Sequence, residues 1–184
     1  MKESKRRIVL LLCALLLGTS CLQAQKETRG EEKCLHFAQA FYNWYVMEVF
    51  KEVKANGETA SWHAALKYRG DPFSSELSRA LIQSDVEAKA EGDPVLDFDP
   101  ILNSQDPAER YVVRTVTRKD GHYLAEIYGV WSRPVPDRGQ GPQVVAEMTF
   151  KDGRWQFVNF HYPNHTNPNN ENLLSILRYQ YHPK

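Results

Sequence analysis

The stretch Gly92-Asp93-Pro94-Val95-Leu96-Asp97-Phe98-Asp99-Pro100-Ile101-Leu102-Asn103-Ser104-Gln105-Asp106-Pro107 divides the chain into two kinds of pattern. Before it, apolar residues recur at helical spacing; after it, they alternate as in strands. Asp93, Asp97, Asp99 and Asp106 sit among apolar neighbours, and Asp93, Asp99 and Asp106 each directly precede a proline. A residue before proline is pushed out of the α region, so these steps read as turns or extended chain. The expected class is α+β, with helices upstream of an acidic loop and hairpins downstream.

Upstream, Cys34, Ala38, Phe41, Tyr42, Tyr45, Val46, Val49 and Val53 fall on one stripe and predict a long aromatic helix from Glu31. Asn56-Gly57 ends it. A short second helix is expected over Thr59 to Tyr68, with Trp62 and Leu66 on one side. Arg69-Gly70-Asp71-Pro72 reads as a turn. A third helix is expected over Phe73 to Ala90, with Leu77, Ala80, Leu81 and Ala88 inward.

Downstream, Tyr111 to Thr117 and Tyr123 to Trp131 read as strands. A three-residue loop at Lys119-Asp120-Gly121 would pair Val113 with Ile127 and Arg114 with Glu126. It would set Tyr111, Val113, Thr115, Tyr123, Ala125, Ile127 and Trp131 on one face. A second hairpin, Val144 to Phe150 and Trp155 to Tyr162, is expected to turn on two residues, Asp152-Gly153. Its inward rows would be Phe150, Met148, Ala146 and Val144 against Trp155, Phe157, Asn159 and His161. Leu173 to Tyr181 reads as a closing helix capped by Asn169 or Asn170.

A length of 184 residues, 42% hydrophobic and 25% charged, suits one globular domain. The formal charge of +0 hides an asymmetry. Lys2, Lys5, Arg6 and Arg7 precede the apolar run Ile8 to Leu17 and then Gly18-Thr19-Ser20-Cys21, the layout of a secretory signal. The run is shorter than the ~20 apolar residues of a transmembrane helix. Cys21 sits where a bacterial lipoprotein carries its lipid, although Gly18 holds the position usually filled by Leu. Cleavage after Ser20 or Ala24 to release a soluble protein is the alternative. Residues 1–20 are thus read as a signal peptide, 21–30 as a tether and 31–184 as one domain. The mature chain has a net charge of roughly −3, since Glu3 offsets one of those four cations. That charge argues against nucleic acid as a partner. Cys34 reads as a small buried residue, with a Cys21–Cys34 disulfide open only if Cys21 is not lipidated.

Phe41-Tyr42-Asn43-Trp44-Tyr45, the run from Leu96 to Asp106, and Gly153-Arg154-Trp155-Gln156-Phe157 with Tyr162-Pro163 resemble the DUF3828 family of the NTF2-like superfamily. The resemblance spans nearly the whole mature chain, and the acidic loop is its most specific part. It implies an NTF2-like cone: three N-terminal helices packed on a curved antiparallel sheet of two hairpins, with a short C-terminal helix added. It also implies a cell-envelope location. The family has no agreed activity, and a fold alone does not confer one.

The expected function is a non-catalytic envelope lipoprotein that binds a small molecule or an envelope protein. It would sit on the periplasmic side, held to the membrane by a lipid on Cys21 and needing no cofactor. Tyr42, Tyr45, Trp131, Trp155, Asn159 and His161 are the expected ligand-binding residues. One alternative is acid/base proton transfer in the pocket by His161 with Asp97 or Asp99. Another is a dimeric scaffold joined through the sheet face. Asp97, Asp99, Asn103 and Asp106 carry enough oxygens for a hard cation, but without EF-hand spacing. Capping of turns by these carboxylates is the simpler expectation.

Overall fold

The computed structural model describes residues 28–48, 51, 62–67, 72–91, 96, 98–133, 141–163 and 172–181. The expectations for Cys21, Val49, Val53, Asp93, Asp97, Asn169 and Asn170 lie outside these residues. The fold is α+β, a four-stranded open antiparallel sheet with helices.

Residues 28–48 form α1. Its expected stripe is buried from Cys34 to Val46, and Trp44 joins it. Then come α2 (His63–Lys67) and α3 (Ser75–Glu91). The Ser74 hydroxyl caps α3 by accepting the Leu77 N–H at 3.2 Å. Leu77, Leu81 and Ser84 are buried on the inward side of α3, while Ile82 and Val86 face out.

The strands are β1 (Arg110–Lys119), β2 (His122–Val130), β3 (Val144–Lys151) and β4 (Arg154–His161), in spatial order β1-β2-β3-β4. Both outer hairpins turn on two residues. Asp120 and Gly121 have φ of 51° and 85°, Asp152 and Gly153 have 52° and 78°. Two consecutive positive values define the turn whose twist matches paired strands. The three-residue loop expected in the first hairpin is therefore not formed.

A bulge at Arg114 reconciles that turn with the expected pair Val113–Ile127, which does form. Beyond it Glu126 faces Thr115 rather than Arg114. The extra residue turns Thr115 outward and lets Val116 pack against the core, because each residue of slip reverses the faces.

The second hairpin keeps Phe150–Trp155 and Met148–Phe157 as expected, then slips at Val158. Ala146 now faces Phe160, Glu147 faces Asn159, and Val145 faces His161. Asn159 and His161 thus leave the face expected for them. The physical reason is burial: the slip puts Phe160 and Tyr162 inward, both essentially inaccessible, in place of an amide and an imidazole.

Aromatic rings fill the space between α1 and the inner sheet face. Phe41 and Phe157 are 4.6 Å apart, Tyr42 and Tyr111 6.1 Å, and Phe157 and Phe160 5.3 Å. Both sheet edges are occupied. On β1, Gln39 of α1 donates to Tyr111 O at 3.0 Å and accepts the Val113 N–H at 2.8 Å. On β4, Phe157 exchanges backbone bonds of 2.8 Å with Pro72 and Ser74. The closing helix α4 (Leu173–Tyr181) packs on α3 and β4. Its cap is Asn172, whose Oδ1 accepts the Ser175 N–H at 2.9 Å. No helix among the described residues is long and apolar enough to cross a membrane.

Candidate functional site

The outer face of the sheet carries a depression of about 510 Å³ with Leu124 and Val145 among its walls. Its central polar residues come from three strands. Glu147 on β3 lies between Leu124 of β2 and Asn159 of β4. Two residues along those strands on the same face are His122 and His161, its diagonal neighbours. Lys119 at the end of β1 and Asp120 of the β1–β2 turn complete the rim.

Glu147 binds both imidazoles. Its Oε1 is 2.5 Å from His122 Nδ1 and its Oε2 is 2.9 Å from His161 Nε2. An ionised carboxylate can only accept, so each ring presents an N–H to it. That assigns the other nitrogens, His122 Nε2 and His161 Nδ1, the lone pairs when the rings are neutral. The Glu147 side chain is 22% exposed, against 43% for His122 and 37% for His161. The carboxylate is the sheltered member and fixes two more accessible rings. Such a site can hydrogen-bond a ligand or exchange protons with one.

Asp99 occupies a different environment. Its Oδ2 accepts the Tyr45 hydroxyl at 2.6 Å, and its Oδ1 accepts the N–H groups of Ile101 and Leu102 at 2.9 and 3.0 Å. Burial raises its pKa to about 6 against the pull of those three donors. Tyr42 and Tyr162 fasten the same loop by donating to Ile101 O and Pro100 O at 3.0 and 2.8 Å. Burial pushes both phenols well above their ordinary range. Asp99 ties an interior turn together and has all three of its donors inside the protein.

The expected ligand-binding residues are dispersed. Tyr42 and Tyr45 belong to the core. Trp131 folds back over Gly129, so closely that an added Cβ would meet its ring at 2.5 Å. Trp155 lies toward the other end of the sheet, against Tyr123 and Phe150 at 4.9 and 5.2 Å. Asn159 serves α4: its Oδ1 accepts the Leu174 N–H at 3.2 Å and its Nδ2 donates to Asn172 at 3.1 Å. His161 alone of the six reaches the depression. It lies on the opposite face of β4 from Tyr162, which reaches into the Asp99 loop, so the expected pairing of His161 with Asp99 is not assembled.

The oxygens considered for a cation also diverge. Asn103 donates to Gln143 O at 3.0 Å, and the Asp106 backbone engages Ser104. Among the described residues, no group of three or more His, Cys, Asp or Glu side chains is placed to hold a metal ion. His122 and Glu147 were not singled out by sequence reasoning. Alternation along β2 and β3 places them on one face, but the third member joins them only through the slip at Val158. Comparison with protein-family models, with curated proteins and with solved structures returned no match.

Proposed function

We propose that this chain is a lipid-anchored envelope protein of the NTF2-like, DUF3828 type. Its domain binds a small polar ligand in the outer-face depression without transforming it. The single observation that carries the reading is the Glu147 carboxylate holding His122 and His161 beside an apolar wall. A few fixed polar groups set against apolar surface are how small-ligand sites orient their occupants. The helices preceding the sheet and the bulged strands support the NTF2-like assignment. The basic, apolar and small-residue sequence ending at Cys21 supports the anchor.

Native mass spectrometry of the full chain isolated from envelope tests this. A retained small molecule is expected, lost on Glu147→Gln because the amide's NH₂ cannot accept from an imidazole N–H. A chain retaining nothing, or retaining the same mass after Glu147→Gln, removes the depression as the site. Mass analysis of the N-terminal peptide reads the lipid on Cys21 separately.

A further inference from the structure

At one end of the sheet both tight turns come together with the start of α1. The pairs Lys119–His122 and Lys151–Arg154 close the turns. Tyr123 pairs with Met148 and Phe150 with Trp155, so the rings of Tyr123, Phe150 and Trp155 form a row on the inner face. Gly30, near the first turn of α1, lies so close to Tyr123 that an added Cβ would meet its hydroxyl at 2.5 Å. The row therefore lies beside the beginning of α1. Phe150 is 56% exposed, unlike the buried rings nearer the middle of the sheet.

Cations gather at the same end of the sheet: Arg118 shares the face of the rings, while Lys119, Lys151 and Arg154 alternate to the outer face around the two turns. Lys119, Lys151 and Arg154 are exposed, and the Arg118 guanidinium lies 5.8 Å from the Tyr123 ring centre. These four stand against three carboxylates, Asp120 and Asp152 in the turns and Glu31, which accepts the Arg118 backbone N–H at 3.2 Å. Aromatic rings flanked by Lys and Arg match the boundary between headgroups and acyl chains.

We infer that this end of the molecule docks on an anionic lipid surface, with Phe150 and Trp155 at the headgroup boundary and Lys119 and Lys151 on lipid phosphates. The placement rests on the lipid-anchor reading for its geometry. From Cys21 to Thr28 the chain spans at most about 25 Å. A lipid on Cys21 therefore holds Thr28, at the start of α1, within that distance of the bilayer and keeps the neighbouring end of the sheet on the membrane side. Each added basic residue near such a surface strengthens partition about fivefold.

The test uses the full chain reconstituted in vesicles of phosphatidylglycerol or phosphatidylcholine brominated on the acyl chains. Subtracting the emission of Trp155→Phe isolates Trp155, and Trp131→Phe isolates a control at the opposite end. Trp155 should be quenched by phosphatidylglycerol, less so in high salt, with Trp131 unaffected. Phe150→Ala should weaken the quenching. Lys119→Glu with Lys151→Glu should reduce Trp155 quenching on phosphatidylglycerol to the level seen on phosphatidylcholine, at an unchanged melting temperature. Equal quenching of both tryptophans, or none of Trp155 on phosphatidylglycerol, overturns the docking surface. If Cys21 carries no lipid, the chain is added to the same vesicles from solution. The anchor reading then fails while the salt-dependent quenching of Trp155 still decides the docking.

Discussion

Asp99 spends a buried carboxylate on holding a turn, and the consequence is a pH dependence. Its pKa in the folded chain is about 6, against an ordinary value of 3.8. Between those values the folded chain keeps a proton that the unfolded chain releases. Stability from this residue is therefore full below about pH 4 and lost as pH rises through 6, a difference of about 3 kcal/mol. Asp99→Asn keeps an oxygen for the Ile101 and Leu102 N–H groups, and the Tyr45 hydroxyl can reverse to accept from the amide. Urea unfolding of the two chains between pH 4 and 7.5 should show the wild type losing stability relative to the variant as pH rises. Parallel curves would mean that the carboxylate is already fully compensated by its three donors. The turn itself was legible from Asp99-Pro100 in an apolar run. The burial was not, because Tyr45 reaches Asp99 from 54 residues away in the chain. Cys34 is quieter: buried, with its thiol pushed up to about 12, it is expected to resist alkylation in the folded chain at pH 8 and to react on unfolding.

At the scale of elements, an edge strand offers unpaired N–H and C=O groups to any other chain, and β1 has lost that offer to a side chain. The Gln39 amide stands in for a neighbouring strand: one hydrogen of its NH₂ goes to Tyr111 O, its oxygen takes the Val113 N–H, and its NH₂ also reaches Asn43 Oδ1 at 2.8 Å. Gln39→Ala should cost about 1–2 kcal/mol. It should also introduce self-association that rises with concentration, read by light scattering on the folded protein. A strictly monomeric variant of undiminished stability would show that water serves this edge equally well. Hydrophobic period and turn residues made all four strands and both hairpins readable, and the pair Val113–Ile127 was reached from the wrong loop. What they could not reveal were the two slips. Arg114 and Val158 look like ordinary members of alternating strands; only the demand to bury Val116, Phe160 and Tyr162 moves them. The same demand decides the candidate site, since without the slip at Val158 His161 would point at the core and Glu147 would lose its second imidazole.

Across the whole molecule, the C-terminal helix is the piece that joins otherwise separate parts. Leu173, Ile176 and Leu177 recur at i, i+3 and i+4 and are all buried, and the helix packs on both α3 and β4. It is also tied in by Asn159 and Asn172, which satisfy N–H groups at its start. The ion pair between Arg178 and Glu76, at 2.7 Å, spans the same two helices, but its side chains are 69% and 65% exposed. These are two kinds of fastening, and their magnitudes differ. Removing a fully buried leucine forfeits its transfer energy and leaves a cavity, so Leu173→Ala should cost about 2–5 kcal/mol. The exposed pair is screened by water and costs side-chain entropy to hold, so Arg178→Ala should change stability by no more than about 0.5 kcal/mol. Because α4 closes over α3 and β4 together, the Leu173→Ala loss should appear as one cooperative transition at lower urea, reported alike by tryptophan fluorescence and by circular dichroism. Should the two probes separate instead, α4 would be a detachable appendage, and the sheet with α1 would be the true folding unit.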